Sequence, residues 1–259
     1  MPKSKTITAA ERRRQDLLTL EGLKAADVYA KRLGKLRERE LRRVLALARD
    51  VTPEEVPDLL NREINEADYL LAWWPALWAV VGTPGARATA ADLRQEKAAA
   101  EESIWARALR NYAIQRAGAN IVSVTGTWKE SLVALTRSIM AETLGIGIEV
   151  LTREIYKGFL ATLERWQCRR IARTEALIGM ADAGHIAAKT LEIPYTKQWC
   201  TSGRDNVRTS HQIVDGLVVD EDEPFELPGG WLMYPHDTSL GADASEIINC
   251  ACACIRRSK

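Results

Sequence analysis

Residues 199–216 read W-C-T-S-G-R-D-N-V-R-T-S-H-Q-I-V-D-G, residues 234–237 read Y-P-H-D, and residues 247–254 read I-I-N-C-A-C-A-C. Two of the three histidines and four of the five cysteines fall in this last quarter of the chain. Short runs with strand character punctuate it: Tyr195–Trp199, Gly216–Val219 and Trp231–Tyr234, with Pro228-Gly229-Gly230 as the turn before the last. Everything upstream of Pro194 carries helical periodicity. The expected fold class is therefore mainly α, an elongated helical body with a small C-terminal α+β domain. The composition shift places the last boundary near residue 191. It divides the chain into an N-terminal helical arm (1–118), a helical core (119–190) and a small Cys/His-containing α+β domain (191–259).

Upstream, Thr8-x-x-Glu11 is a capping box in which hydroxyl and carboxylate satisfy each other's backbone N–H. Leucines and valines from Leu17 to Leu47 then recur at helical spacing, with an Arg/Lys/Glu-rich opposite face. Thr52-Pro53-Glu54-Glu55 is a second start signal. Trp73, Trp74 and Trp78 crowd around Pro75. They fit a partner anchor, but a buried helix core is the preferred explanation. Val81-Gly82-Thr83-Pro84-Gly85 reads as a loop. One long helix is expected from Thr89 to Ala117, stopped by Gly118 and Asn120, and another capped by Thr127-x-x-Glu130. Gly145-Ile-Gly147 reads as a turn, followed by helices over about 149–163 and 165–189.

The net charge of +1 hides an asymmetry: residues 1–50 carry 14 Lys/Arg against 7 Asp/Glu, and residues 201–259 carry 5 against 10. A solvated helix face and contact with nucleic acid through Arg12, Arg13 and Arg14 both fit the basic head. Met1 to Arg14 lacks the apolar core of a signal peptide. The most apolar run, Tyr69 to Val81, is too short for a bilayer, so no membrane partner is expected. Clustered Cys and His without an export signal suit a reducing compartment, where metal binding is weighed before disulfides.

Four soft ligands, His211, His236, Cys250 and Cys252, match the number needed by a closed tetrahedral zinc site. Cys200 and Cys254 compete as thiolates, and Asp205 and Asp237 as oxygen ligands. Plain burial of free cysteines explains the same residues without a metal. A metal-dependent hydrolase or nuclease built on the Asp/His/Cys cluster is the enzymatic alternative. No H-E-x-x-H, G-x-S-x-G, P-loop or G-x-G-x-x-G supports it, so no catalytic residues are assigned and the chain is not expected to be an enzyme.

An ordered set of short motifs runs through the second half. It starts at Ile171-Ala172-Arg173-Thr174-Glu175 and passes through Trp199, Asp205, Val207-Arg208, His211, Asp215-Gly216 and Glu223-Pro224-Phe225. It closes on Tyr234-Pro235-x-Asp237 and Ile248-Asn249-Cys250-x-Cys252. In this order the motifs resemble the phage Mu F-like head morphogenesis family, the minor head proteins of tailed bacteriophages, over roughly residues 120–254. Ala251 stands where that family usually has Arg between the cysteines. The resemblance implies a Cys/His metal site and a virion component of the phage head interior, assembled in the host cytoplasm. Its partners would be the portal protein and capsid or scaffold proteins, with double-stranded DNA as a further contact. Arg173 and Glu175 read as pins that tie their helix to the tail domain by ion pairs or capping.

Overall fold

The computed structural model describes residues 3–93 and 98–259. In chain order the elements are β1 (Lys3–Ser4), α1 (Ala9–Leu47), α2 (Val56–Glu63), α3 (Ala67–Asp92), α4 (Ala98–Glu142), α5 (Ile148–Gly158) and α6 (Glu164–Thr190). Then follow β2 (Tyr195–Cys200), α7 (Thr209–Ile213), β3 (Leu217–Asp220), β4 (Phe225–Leu227), β5 (Gly230–Leu232), α8 (Ala244–Ile247) and β6 (Ala253–Ser258). The fold is mainly α, with a small antiparallel sheet in its C-terminal part. Among the described residues, no helix is long and apolar enough to cross a membrane.

Both capping boxes form. The Thr8 N–H donates to the Glu11 carboxylate at 2.9 Å while the Glu11 N–H returns to the Thr8 hydroxyl at 3.2 Å. Thr52 and Glu55 repeat the arrangement ahead of α2. Several expected breaks do not occur. The segment 82–85 lies inside α3, because its glycines serve close packing and not a turn. A Cβ on Gly82 would meet Leu109 at 1.9 Å, and one on Gly85 the Met180 carbonyl oxygen at 2.4 Å. The backbone of α4 runs on through Gly118 and Asn120; a mid-helix glycine costs only about 1 kcal/mol. Thr127 is no cap either, since its hydroxyl donates to the Ser123 carbonyl one turn back, at 3.1 Å. The single helix expected from Thr89 to Ala117 is two helices, α3 and α4, and residues 94–97 between them lie outside the described residues.

The chain forms two units that interleave along the sequence. The first comprises Met1–Asp27, Ala76–Ala113 and Ala172–Lys259; the second comprises Val28–Pro75 and Ile114–Ile171. Helices α1, α3, α4 and α6 each supply residues to both, so the units cut across the consecutive segments read from composition.

In the second unit, Leu41, Val44, Leu60, Trp128, Leu132, Leu151, Ile155 and Phe159 belong to one buried cluster. Trp73 and Trp74 are buried there as well, with the Trp73 indole donating to the Tyr29 carbonyl at 3.0 Å. Trp78 is buried in the first unit. The tryptophans are core, not an exposed anchor. A fully buried ion pair, Arg37 to Glu66 at 2.8 Å, lies in the second unit, and Tyr69 donates to the same carboxylate at 2.6 Å.

In the first unit the strands order as β1-β3-β2-β6, all antiparallel, with β4 and β5 forming a separate hairpin. Strands β2 and β3 match expectation within a residue or two, and the third expected strand, 231–234, is β5 at Gly230–Leu232. One face of β2 and β6, carrying Tyr195 and Arg256, meets the helices. Tyr195 packs with Leu93 and Ala188, and Arg256 donates to the Thr89 hydroxyl at 3.1 Å.

A buried cysteine and histidine centre

Three chain segments of the first unit converge at the centre. His211 comes from α7, His236 from the loop after β5, and Cys250 and Cys252 from the stretch between α8 and β6. All four are buried. The His211 Nδ1 lies 3.2 Å from the Cys252 sulfur and 3.6 Å from the Cys250 sulfur. Among the described residues these three side chains form a group able to hold a metal ion. Zinc bonds of ~2.3 Å to sulfur and ~2.05 Å to nitrogen, at a tetrahedral angle, put S and N about 3.6 Å apart. The cluster fits that spacing, with one contact somewhat tight.

Each ligand candidate is held from behind. The His211 Nε2 faces Glu246 Oε2 at 2.8 Å, and the same oxygen accepts from Ser210 at 2.8 Å. A carboxylate on the far nitrogen fixes a tautomer whose near nitrogen is free to ligate. The Trp199 ring meets the His211 ring edge-on at 5.3 Å, and Phe225 backs Trp199 at 5.2 Å. His236 Nε2 lies 3.2 Å from the Cys252 carbonyl oxygen, so it carries the proton and donates there. Its Nδ1 is buried, and although burial lowers the ring's pKa, Cys250 raises it by more. The Cys250 thiol stands beside it. His236 and Asn249 both take left-handed backbone angles, at φ 73° and 56°. Such angles in non-glycine residues concentrate at functional sites.

The two thiols titrate as a pair. The hydrogen bond shared with Cys252 holds Cys250 well below the usual thiol range, against burial and with help from His236 and His211. The same bond, reinforced by burial, pushes Cys252 upward. Two buried thiols beside imidazole nitrogens form a donor set of the kind that gives up protons when a cation binds.

The other sequence-predicted residues build the frame and not the centre. Asp215 accepts the Thr201 N–H at 2.8 Å and pairs with Arg12 at 3.1 Å. Gly216, at φ 80°, donates its N–H to the Trp199 carbonyl at 2.9 Å. Asp237 is buried and accepts the Met233 and Ser239 N–H groups at 2.9 and 2.8 Å. It caps a turn, and so is not an oxygen ligand. Asp205 is exposed and outside the cluster. Cys200 is buried in β2 and Cys254 half-buried in β6, neither in the cluster. The pin between α6 and the tail is Thr174, whose hydroxyl accepts the Asn249 N–H at 3.3 Å. Glu175 is buried. Among the described residues Arg173 makes no ion pair, and it lines a small cavity with Arg208, His211, Asn249, Cys250 and Cys252. Of the basic head, Arg12 and Arg14 are engaged within the first unit, Arg14 with Asp92 at 2.5 Å.

Glu246 is the functional residue that sequence reasoning missed. No spacing rule links it to a histidine 35 positions away. Larger depressions exist, one of about 650 Å³ in the second unit beside Arg42 and Tyr156, but its lining carries no thiol or imidazole.

No protein-family model matches the chain, and no solved structure is significantly similar to it. Two curated relatives match over part of its length. "Uncharacterized protein YqbB" of Bacillus subtilis is 27% identical over 122 residues, 46% of this chain and 39% of that protein. "NAD(+)--arginine ADP-ribosyltransferase EFV" of Enterococcus faecalis is 37% identical over 94 residues, 34% of this chain and 18% of that protein. The chain thus spans well under half of either relative.

Proposed function

We propose that this chain is a minor head protein of a tailed bacteriophage, of the phage Mu F-like head morphogenesis type. In this reading it works by binding and not by catalysis, and its metal centre is a structural zinc. One observation carries it: motif residues scattered from Arg173 to Cys252 gather in one unit around a single buried Cys/His centre. His211, His236, Cys250 and Cys252 would be the four ligands, with the His236 Nδ1 filling the position the other three leave. Bound zinc would supply a cross-link among three chain segments, in a region built of short elements. The helices would then dock on the portal protein and on capsid or scaffold proteins of the head interior, with packaged double-stranded DNA as a further contact.

The transferase activity in the enterococcal relative's name is not carried over, because the shared segment is under a fifth of that protein. A metal-dependent hydrolase or nuclease on Asp205, His211 and His236 draws no support from an exposed Asp205 and a turn-capping Asp237.

Two measurements test this. Metal analysis of the purified chain should find one zinc per molecule. Cys250→Ser and His236→Ala should each lower zinc content, and chelation should lower the melting temperature. His211→Ala separates the roles: a structural ion predicts loss of folding in the first unit, a catalytic one a folded protein without turnover. Co-expression with the portal and capsid proteins of a tailed phage should place the chain in procapsids at low copy. Procapsids that assemble normally and never contain it would defeat the head-protein reading.

A further inference from the structure

The cavity over the metal centre is small, about 40 Å³, and basic. The Cys250 to Cys252 stretch and His211 line it, together with Arg173 from α6 and Arg204 and Arg208 from the loop before α7. Ser202, Asn206 and Asn249 complete the polar lining, and no carboxylate is among the lining residues. Arg208 is fixed by donating to the Ile248 carbonyl. Among the described residues Arg173 makes no ion pair, and its Nε is buried without a hydrogen-bond partner. Arg204 is exposed. Arg173 is also the motif residue for which the frame of the centre finds no use.

Three guanidiniums around one hollow repel each other unless an anion joins them. The thiolates do not supply that anion once a divalent ion is bound. Two thiolates, two neutral imidazoles and one dication sum to zero charge, and the arginines remain uncompensated. An orphaned Nε also costs free energy that a ligand oxygen would recover. Guanidinium forks match the oxygens of tetrahedral oxyanions and bind them in pairs. At about 40 Å³ the hollow is small enough that anything attached to such a group would lie outside it.

We infer that Arg173, Arg204 and Arg208 form a phosphate-binding site at the mouth of the Cys/His centre. The phosphate is either free or carried on a nucleic-acid backbone, and the chemistry of recognition is the same for both. The metal centre sets the loop positions that bring the arginines together. The site does not depend on the head-assembly reading and stands or falls separately.

The test uses the full chain with its metal bound. Inorganic phosphate is titrated at constant ionic strength, with chloride as the balancing anion, and binding is followed by calorimetry and by melting temperature. One saturable phosphate per chain is expected, with no effect of chloride. Arg204→Gln, a change at an exposed position, and Arg173→Gln should each weaken it roughly tenfold at unchanged metal content. A duplex oligonucleotide then identifies the source. If the backbone is the ligand, the same variants lower the slope of log affinity against log salt by about one each. Undiminished duplex binding alongside lost phosphate binding assigns the site to free phosphate. Absence of saturable phosphate binding, or binding that Arg204→Gln leaves untouched, overturns the proposal. Should Arg173→Gln shed metal, the arginine serves the centre and not a ligand; Arg204→Gln then decides alone.

Discussion

Lys197 is 2% exposed in the middle of β2, its ammonium has no hydrogen-bond partner, and Arg256 stands directly opposite on β6. The Phe225 ring, 5.8 Å away, is a weak substitute for a counter-charge. Burial pushes the Lys197 pKa down to about 8. The unfolded chain holds that proton up to the ordinary lysine range near ~10.4, so between these limits it binds more protons than the folded state. Stability from this group therefore rises as pH climbs from about 8 toward 10.4, and the penalty is in full force below 8. Lys197→Met should raise stability at pH 7 by about 1–3 kcal/mol in urea denaturation and remove that part of the alkaline rise. Arg37 and Glu66 give the opposite case. Glu66→Gln strands a buried guanidinium and should cost about 3–5 kcal/mol in the same assay. At this scale the thiols and imidazoles were legible, because their chemistry is rare and their clustering conspicuous. Glu246, and Arg12 as the partner of Asp215, were not. Carboxylates and guanidiniums are common, and only the folded path brings these together.

Among the elements, glycine is the residue whose meaning depends most on what lies across from it. In α3, Gly85 passes so close to α6 that an added methyl would meet a backbone oxygen that cannot move aside. Gly85→Ala should destabilise by about 1–3 kcal/mol through overpacking. Gly126 in α4 has nothing within 4 Å of its would-be Cβ. There the same substitution should stabilise by about 0.5–1 kcal/mol, helix entropy being the only thing that changes. Paired thermal melts of the two variants check both signs. Sequence alone offered Gly82, Pro84, Gly85 and Gly118 as punctuation, since glycine and proline most often end helices. At Gly82 and Gly85 close packing overrides local preference, and partners such as Leu109 and Met180 leave no local signature. The capping boxes were legible because all their atoms lie within four residues. Strand β6 escaped notice because its first residues continue the Cys-Ala-Cys-Ala-Cys run, which draws attention as a ligand motif.

The two units differ from anything composition could outline, because each is assembled from separated stretches of chain. The shift near residue 191 locates where helix gives way to strand and says nothing about which surfaces close the core. In the first unit, Arg12 donates to the Thr201 carbonyl at 2.7 Å and Arg257 reaches Glu11 at 2.5 Å. A fragment of residues 191–259 lacks these contacts and also the faces of α3 and α6 beneath its sheet. It should give a poorly dispersed amide spectrum even with zinc added; sharp, dispersed peaks would mean that the tail is autonomous after all.

The sheet order β1-β3-β2-β6 has a consequence during translation. The ribosome delivers residues 3–4 some 250 positions ahead of 253–258, yet both are outer strands of one sheet. β1 pairs with β3, Lys3 opposite Val218, and pairing across so long a stretch of chain is slow, since the closure entropy must be met before any contact repays it. The basic opening helix therefore waits, its Arg12 unmatched, while the rest of the polypeptide emerges. Nascent chains arrested short of β6 would be open to chaperones and proteases, and the unit would snap shut only after residue 258 clears the exit tunnel.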